Sequence, residues 1–233
     1  MEKLTELSLF FPAYNEEANL KETVEKAIPV LSKVANKFEL IIVDDGSKDR
    51  TGEIADKLAK KYSFIRVIHH RSNKGYGEAL KSGFYSAKYE WIVFTDSDGQ
   101  LDFSEVAKLI EVKNDVDIVV GYRLDRQDSL VRKLFGTGWT MLANLLLGTK
   151  VRDVDCAFKL INKKVIETIP RLESTRGGMI SPELLGRAIK AGFKIKEVGV
   201  HHFSRTKGKQ SGAELKVILK SFIDLGKLWW QIK

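Results

Sequence analysis

Asp96, Ser97, Asp98, Gly99 and Gln100 follow directly on the apolar run Trp91 to Phe94. Along an extended segment alternate side chains face the same way, so Asp96, Asp98 and Gln100 present three hard oxygen ligands together. Such ligands suit Mg²⁺ or Mn²⁺, with water and a diphosphate completing the shell. The plainer alternative is a solvated turn with a helix cap behind it. A calcium loop is disfavoured because the acidic ligand at its twelfth position is missing. Two more polar clusters stand at the ends of apolar runs: Pro12-Ala13-Tyr14-Asn15-Glu16-Glu17, and Asp44-Asp45-Gly46-Ser47.

These clusters need a scaffold that brings them to one rim. Continuous apolar runs occur at Leu7 to Phe11, Leu40 to Val43, Ile65 to Ile68, Trp91 to Phe94 and Ile118 to Val120. Such runs suit strands buried on both faces. Between them lie segments of helical period, Asn19 to Ala35, Thr51 to Lys61, Gly75 to Ala87 and Ser104 to Ile110. The alternation predicts an α/β fold with an open, mostly parallel twisted sheet flanked by helices, whose ligands bind at the carboxyl ends of the strands. Asp49 and Thr51 read as caps of the second helix, and Asp102 or Ser104 as caps of the fourth. Beyond Gly121 the pattern predicts an apolar helix over Val131 to Leu147, strands near Phe158 to Ile161 and Ile195 to Val200, a helix over Pro182 to Ala191, and an amphipathic helix to Lys233. We divide the chain into a catalytic domain over 1–212, with an apolar interfacial helix at 131–148, and a C-terminal amphipathic helix over 213–233.

Composition narrows the function. Lys and Arg number 39 against 31 Asp and Glu, a formal charge of +8, which favours phosphate-bearing partners. The basic residues are spread widely and form no recognised nucleic-acid module, so nucleic acid is not expected. The first strand is not followed by a Gly-x-Gly-x-x-Gly turn, and no Gly-x-x-x-x-Gly-Lys-Ser/Thr loop occurs, which disfavours hydride transfer and nucleotide hydrolysis of those types. His69, His70, His201 and His202 occur as adjacent pairs at strand ends, where neighbours point apart, and read as structural rather than as zinc ligands. The single Cys156 fits a reducing compartment and a buried site. No secretion signal is expected, and Leu134 to Gly148 is shorter than the roughly 18–20 residues that cross a bilayer.

In order along the chain, PAYNEE, IIVDDGSKDRT, NKGYGEALKSGF, TDSDGQ, GYR and RTKGKQSG resemble the family 2 glycosyltransferases, in particular the dolichol-phosphate mannose synthase and polyprenyl-phosphate hexosyltransferase group. The similarity runs from about residue 7 to residue 212. It implies a GT-A fold, a nucleotide-sugar donor (GDP-mannose or UDP-glucose), a divalent metal and a polyprenyl or dolichyl phosphate acceptor at the cytoplasmic membrane face, with mannose favoured over glucose. Carried over by position, Pro12, Tyr14, Glu16 and Asp44, with Asp45 beside it, would hold the nucleoside, and Asp96, Asp98 and Gln100 the metal. Asp98, Arg123 and Arg205 would carry the catalytic role, and Arg132, Lys207, Lys209 and Glu183 would line the acceptor phosphate.

The chain departs from the family pattern at Gly136, where a serine is usual, and at Gly208-Lys209-Gln210-Ser211, where the family lysine is displaced. The resemblance implies inverting transfer, and a phosphate acceptor, already anionic, needs no general base. A soluble or polysaccharide hydroxyl acceptor is the alternative; it needs a carboxylate base, for which Asp153 and Asp155 are placed. A catalytically silent subunit would not need Asp96, Asp98 and Gln100. Membrane attachment is expected through Trp139, Leu142, Leu145, Leu146, Phe222, Trp229 and Trp230, with Lys216, Lys220 and Lys227 beside the headgroups.

Overall fold

The computed structural model describes residues 3–125, 130–175, 177–205 and 215–232, without the side chains of 130–132, 177 and 215–220. Lys207 and Lys209 therefore lie outside the described residues, as do the side chains of Arg132, Lys216 and Lys220.

The apolar runs form seven strands: β1 (Leu4–Ala13), β2 (Ala35–Asp44), β3 (Ile65–His69), β4 (Trp91–Phe94), β5 (Ile118–Leu124), β6 (Lys159–Asn162) and β7 (Ile195–His201). They make one sheet in the order β3-β2-β1-β4-β6-β5-β7. All pairings are parallel except those of β6, which runs against both β4 and β5. Alternate residues feed two separate cores, because side chains along a strand point to opposite faces. Phe10, Ile41, Val43, Ile92, Phe94 and Ile161 share one core with residues of α3 (Tyr76–Ser86), α5 (Leu130–Leu147), α7 (Gly177–Lys190) and α8 (Leu215–Ile232). Leu9, Phe11, Leu40, Ile42 and Val93 share the other with α1 (Leu20–Val34), α2 (Thr51–Lys61) and α4 (Val106–Glu111). One short helix, α6 (Lys163–Thr168), follows β6. Asp102 caps the 3₁₀ turn that leads into α4 by accepting from the Ser104 N–H, and Asp49 accepts from both the N–H and the hydroxyl of Thr51 at the start of α2.

Two expectations are corrected. The helix placed at Pro182 to Ala191 begins five residues earlier, at Gly177, so Pro182 lies inside α7 and not at its start. Tertiary packing of Met179 and Ile180 into the core outweighs the backbone hydrogen bond that the proline cannot donate. Of the side chains expected at a membrane surface, Trp139 is buried and stacks edge-on against Phe222 at 5.4 Å. Leu142, Leu146, Phe222 and Trp229 also pack against that core. Leu145 and Trp230 are exposed as expected, and α5 and α8 also leave Leu134, Phe135, Met141 and Ile223 exposed. Among the described residues no helix is long and apolar enough to cross a membrane.

Candidate active site

Because β1 lies between β2 and β4, the three polar clusters emerge side by side at the carboxyl end of the sheet. The loops after β1 and β2 are stitched together. The Asn15 side chain accepts from the Lys48 N–H at 2.8 Å, the Asn15 N–H donates to the Ser47 hydroxyl, and the Glu16 N–H donates to the Thr51 hydroxyl. Asn15 adopts a positive φ of 55°, which asparagine tolerates. Gly46 has φ +69°, and a Cβ there would lie 2.4 Å from the backbone of Ser72, so only glycine fits. The Ser97 hydroxyl ties the third cluster to the first by donating to the Pro12 carbonyl at 2.8 Å. Tyr14 stands half-buried at this rim.

The acids differ sharply in their surroundings. Asp44 Oδ1 accepts from the Ser47 N–H and Oδ2 pairs with His69 Nδ1 at 2.9 Å, while His69 Nε2 reaches Asp56 at 3.0 Å. Burial lowers the basicity of His69, but these two carboxylates raise it more, and the net shift is upward. Asp45 is committed to the chain itself: His70 Nδ1 and the Lys74 N–H meet Oδ1, and the Gly75 N–H meets Oδ2. Two backbone N–H groups and one imidazole thus hold both of its oxygens. Asp96 accepts from the Tyr76 hydroxyl at 2.7 Å. Burial, reinforced by the neighbouring charge of Asp98, pushes its carboxyl up to about 7 against the opposing pull of Tyr76, Arg123 and Lys159. Asp98 Oδ1 accepts from the Gln100 N–H, and Oδ2 lies 3.5 Å from Arg205 Nη1.

Arg205 bridges two clusters, since its Nη2 also donates to Glu16 Oε1 at 2.6 Å. The segment that carries it is fastened to the residues after β4: the Phe203 N–H donates to the Gln100 carbonyl at 2.8 Å, the Gln100 amide donates to the Phe203 carbonyl at 3.1 Å, and Leu101 bridges His202. Arg205, distant in sequence from Glu16, is thereby brought to the same rim as Glu16 and Asp98.

A divalent cation fits the pair Asp96 and Asp98. The Asp96 pKa is raised first by burial and then by the charge of Asp98, and a cation offsets both by compensating the negative charge. No cluster of three or more His, Cys, Asp or Glu side chains gathers among the described residues, so Gln100, water and a ligand phosphate would complete the shell, as Mg²⁺ and Mn²⁺ commonly require.

The acceptor-side assignments fare differently. Arg123 forms a two-pronged pair with Asp153, at 2.6 and 2.8 Å. Glu183, expected at a helix start, sits in the middle of α7 at 1% exposure. Its carboxylate accepts from the Glu173 and Ser174 N–H groups at 2.9 and 2.7 Å and from Arg187 at 2.8 Å. Held in this way, it organises the 173–175 segment. Lys159, which pattern reading overlooked because it lies within an apolar run, is fully buried with its ammonium on the Val154 and Cys156 carbonyls and the Ser181 hydroxyl. Tyr76 also escapes pattern reading, because its partner Asp96 lies beyond another strand, whereas His69, read as structural, pairs with Asp44 and Asp56.

Asp155 supplies a pH test. It is half-buried, with Oδ1 out of contact with water beside the Trp139 indole, and burial, with the Asp153 charge adding to it, pushes its carboxyl up to about 6. An acid that holds its proton more tightly when folded makes stability fall as pH climbs from about 4 to 6, and the full penalty persists above that. Asp155→Asn is expected to stabilise the fold by roughly 2–3 kcal/mol at pH 8 and by almost nothing at pH 4. Thermal melts at the two pH values would show a gain of roughly 5–10 °C at pH 8 alone.

The model of the family "Glycosyl transferase family 2" matches residues 8–169, well over half of the chain. The chain belongs to glycosyl transferase family 2. Among family 2 relatives it is 30% identical to the dolichyl-phosphate beta-glucosyltransferase ALG5D of Trichomonas vaginalis over 239 residues, covering 94% of this chain and 71% of that one. It is 34% identical to the human dolichyl-phosphate beta-glucosyltransferase, covering 68% and 55%, and 30% identical to glycosyltransferase AglD of Haloferax volcanii, covering 97% and 37%. The chain thus spans less than two thirds of the length of the latter two. Its fold is that of glucosyl-3-phosphoglycerate synthase from Mycobacterium tuberculosis, solved with Mn²⁺ and UDP-glucose, at a TM-score of 0.69 with 20% identity over 97% of this chain and 79% of that one. The mixed seven-strand sheet flanked by helices is a GT-A fold.

Proposed function

We propose that this family 2 glycosyltransferase moves glucose, with inversion, from UDP-glucose to a polyprenyl or dolichyl phosphate at the cytoplasmic face of a membrane. The mannose favoured by the sequence motifs gives way to glucose because the dolichyl-phosphate relatives at 30–34% identity are glucosyltransferases. The observation that carries the reading is the convergence of Asp96, Asp98, Glu16 and Arg205 at the carboxyl end of β4 and β1.

Asp96 and Asp98, with Gln100, would hold Mg²⁺ or Mn²⁺, which supplies positive charge to a departing diphosphate. Tyr14, Pro12, Glu16 and Asp44 border the same rim and would take the nucleoside. Arg205, now paired with Glu16 and Asp98, and Arg123, held rigid by Asp153, would place fixed charge beside the phosphates. Arg132, Lys207 and Lys209 would receive the acceptor phosphate. An ionised phosphate needs no base, and this agrees with the state of Asp153, both of whose carboxylate oxygens are taken by Arg123. Asp155, with its Oδ1 out of contact with water and a pKa of about 6, is the observation that favours the second reading, transfer to a soluble hydroxyl. The exposed apolar side chains Leu134, Met141 and Leu145 recur at helical spacing on α5, and with Trp230 of α8 they would rest in the lipid interface, Lys133 and Lys227 near the headgroups.

Labelled UDP-glucose, Mn²⁺ and dolichyl phosphate in anionic vesicles test these points together. The expected result is label in the organic phase, at least about tenfold more than from GDP-mannose, with the protein floating with the vesicles. Transfer to a water-soluble acceptor without lipid would favour the hydroxyl reading instead.

A further inference from the structure

We propose that Tyr76 is a positioning residue for Asp96, locked by the turn that Asp45 builds, so that the start of α3 sets the geometry of the cation site. The inference rests on the cation role proposed above for Asp96 and Asp98.

α3 opens without a side-chain cap of its own; its cap residue is Gly75, at φ 97°. The work of a cap falls to Asp45 on the β2 side, whose two oxygens collect the Lys74 and Gly75 N–H groups, each at 2.9 Å. His70 braces the same carboxylate at 2.6 Å and reaches on to the Ser82 hydroxyl of α3 at 2.8 Å. The opposite side of the turn is closed by the 173–175 segment. The Gly77 N–H donates to the Thr175 carbonyl at 3.0 Å, and a Cβ at Gly75 or Gly77 would lie 2.9 or 2.6 Å from carbonyl oxygens of that segment. Tyr76 sits between these two clamps and cannot shift along its helix axis.

From this position its hydroxyl donates to Asp96 Oδ1 at 2.7 Å. The chemistry of the donor matters. A phenol brings a hydrogen bond without a positive charge, so it orients the carboxylate without neutralising the site that a cation must enter. With Oδ1 anchored, the carboxylate is restrained in rotation and Oδ2 is left for a cation. Outer-shell partners of this kind typically contribute 10–100-fold to metal affinity. Asp45 then influences the reaction through α3, not by touching the nucleoside.

The test is Mn²⁺ affinity measured by electron paramagnetic resonance of free Mn²⁺ in the presence of UDP, for the wild type, Tyr76→Phe, Asp45→Asn and Asp98→Ala. Tyr76→Phe keeps the ring and removes only the hydroxyl. It is expected to weaken Mn²⁺ binding about 10–100-fold while UDP binding measured without metal stays within about twofold. Asp45→Asn, which turns an amide N–H toward the Gly75 N–H, is expected to shift Mn²⁺ affinity in the same direction although it touches no metal ligand. Wild-type-like Mn²⁺ affinity in Tyr76→Phe, with Asp98→Ala impaired, would overturn the role of Tyr76 and leave the cation site standing. Equal losses of Mn²⁺ and metal-free UDP binding would mark a merely structural residue and overturn it as well. A wild type that binds Mn²⁺ independently of Asp98 would overturn both the cation site and this inference.

Discussion

Asp98→Ala is expected to cut sugar transfer by about a thousandfold, with donor turnover and lipid product falling together. The side chain is fixed from both ends, Oδ1 by the Gln100 N–H and Oδ2 by Arg205, while the neighbouring Glu16 carboxylate is already held by the same guanidinium. Its removal also frees Asp96 from a like charge, and the Asp96 pKa should fall below about 7 while burial still holds it above the ordinary carboxylate range. Both consequences are measurable, the first by product formation with and without a chelator, the second by carboxyl titration in the metal-free protein. Unchanged turnover in saturating chelator would sink the cation-dependent reading.

Glu183→Ala should have its main effect on stability. Removing a carboxylate that is 1% exposed strands two backbone N–H groups and the Arg187 guanidinium. Breaking a buried pair in this way costs about 3–5 kcal/mol, or a fall of roughly 10 °C in melting temperature for a chain of this size. A residue whose task was to contact acceptor phosphate would behave oppositely, with activity lost and the melt unchanged. Differential scanning calorimetry beside the lipid-transfer assay separates the two.

The contrast between these residues shows where sequence reading succeeds. The position of Asp96, Asp98 and Gln100 just past β4 is legible because they and the strand before them lie within ten consecutive residues. The strands themselves were legible because doubly buried strands are continuous apolar runs, and Leu7 to Phe11 or Trp91 to Phe94 can be little else. The direction of β6 was not, since nothing in Phe158 to Ile161 distinguishes a strand running up from one running down. The outward faces of α5 and α8 were misjudged for a related reason. Both helices are apolar on more than one side, and only their contact through Trp139 and Phe222 decides which side is inner. Glu183 is placed at the acceptor side by family resemblance, and its burial and its bonds to the 173–174 backbone emerge only when α7 packs against that segment. Tyr76, His69 and Lys159 act through partners on other elements, Asp96, Asp44 and the Val154 and Cys156 carbonyls, and such pairings exist only once the sheet has closed.

The antiparallel course of β6 has a consequence for how the active centre is supplied. Lys159, its first residue, is level with Phe94, the last residue of β4. Chain leaving one strand and chain entering the other therefore meet at the same height, and the segment carrying Asp153 and Asp155 arrives at the rim instead of departing from the opposite edge. Had this strand followed its neighbours' polarity, those two acids would have been delivered a strand's length away, and Arg123 would have had no counter-charge where it stands.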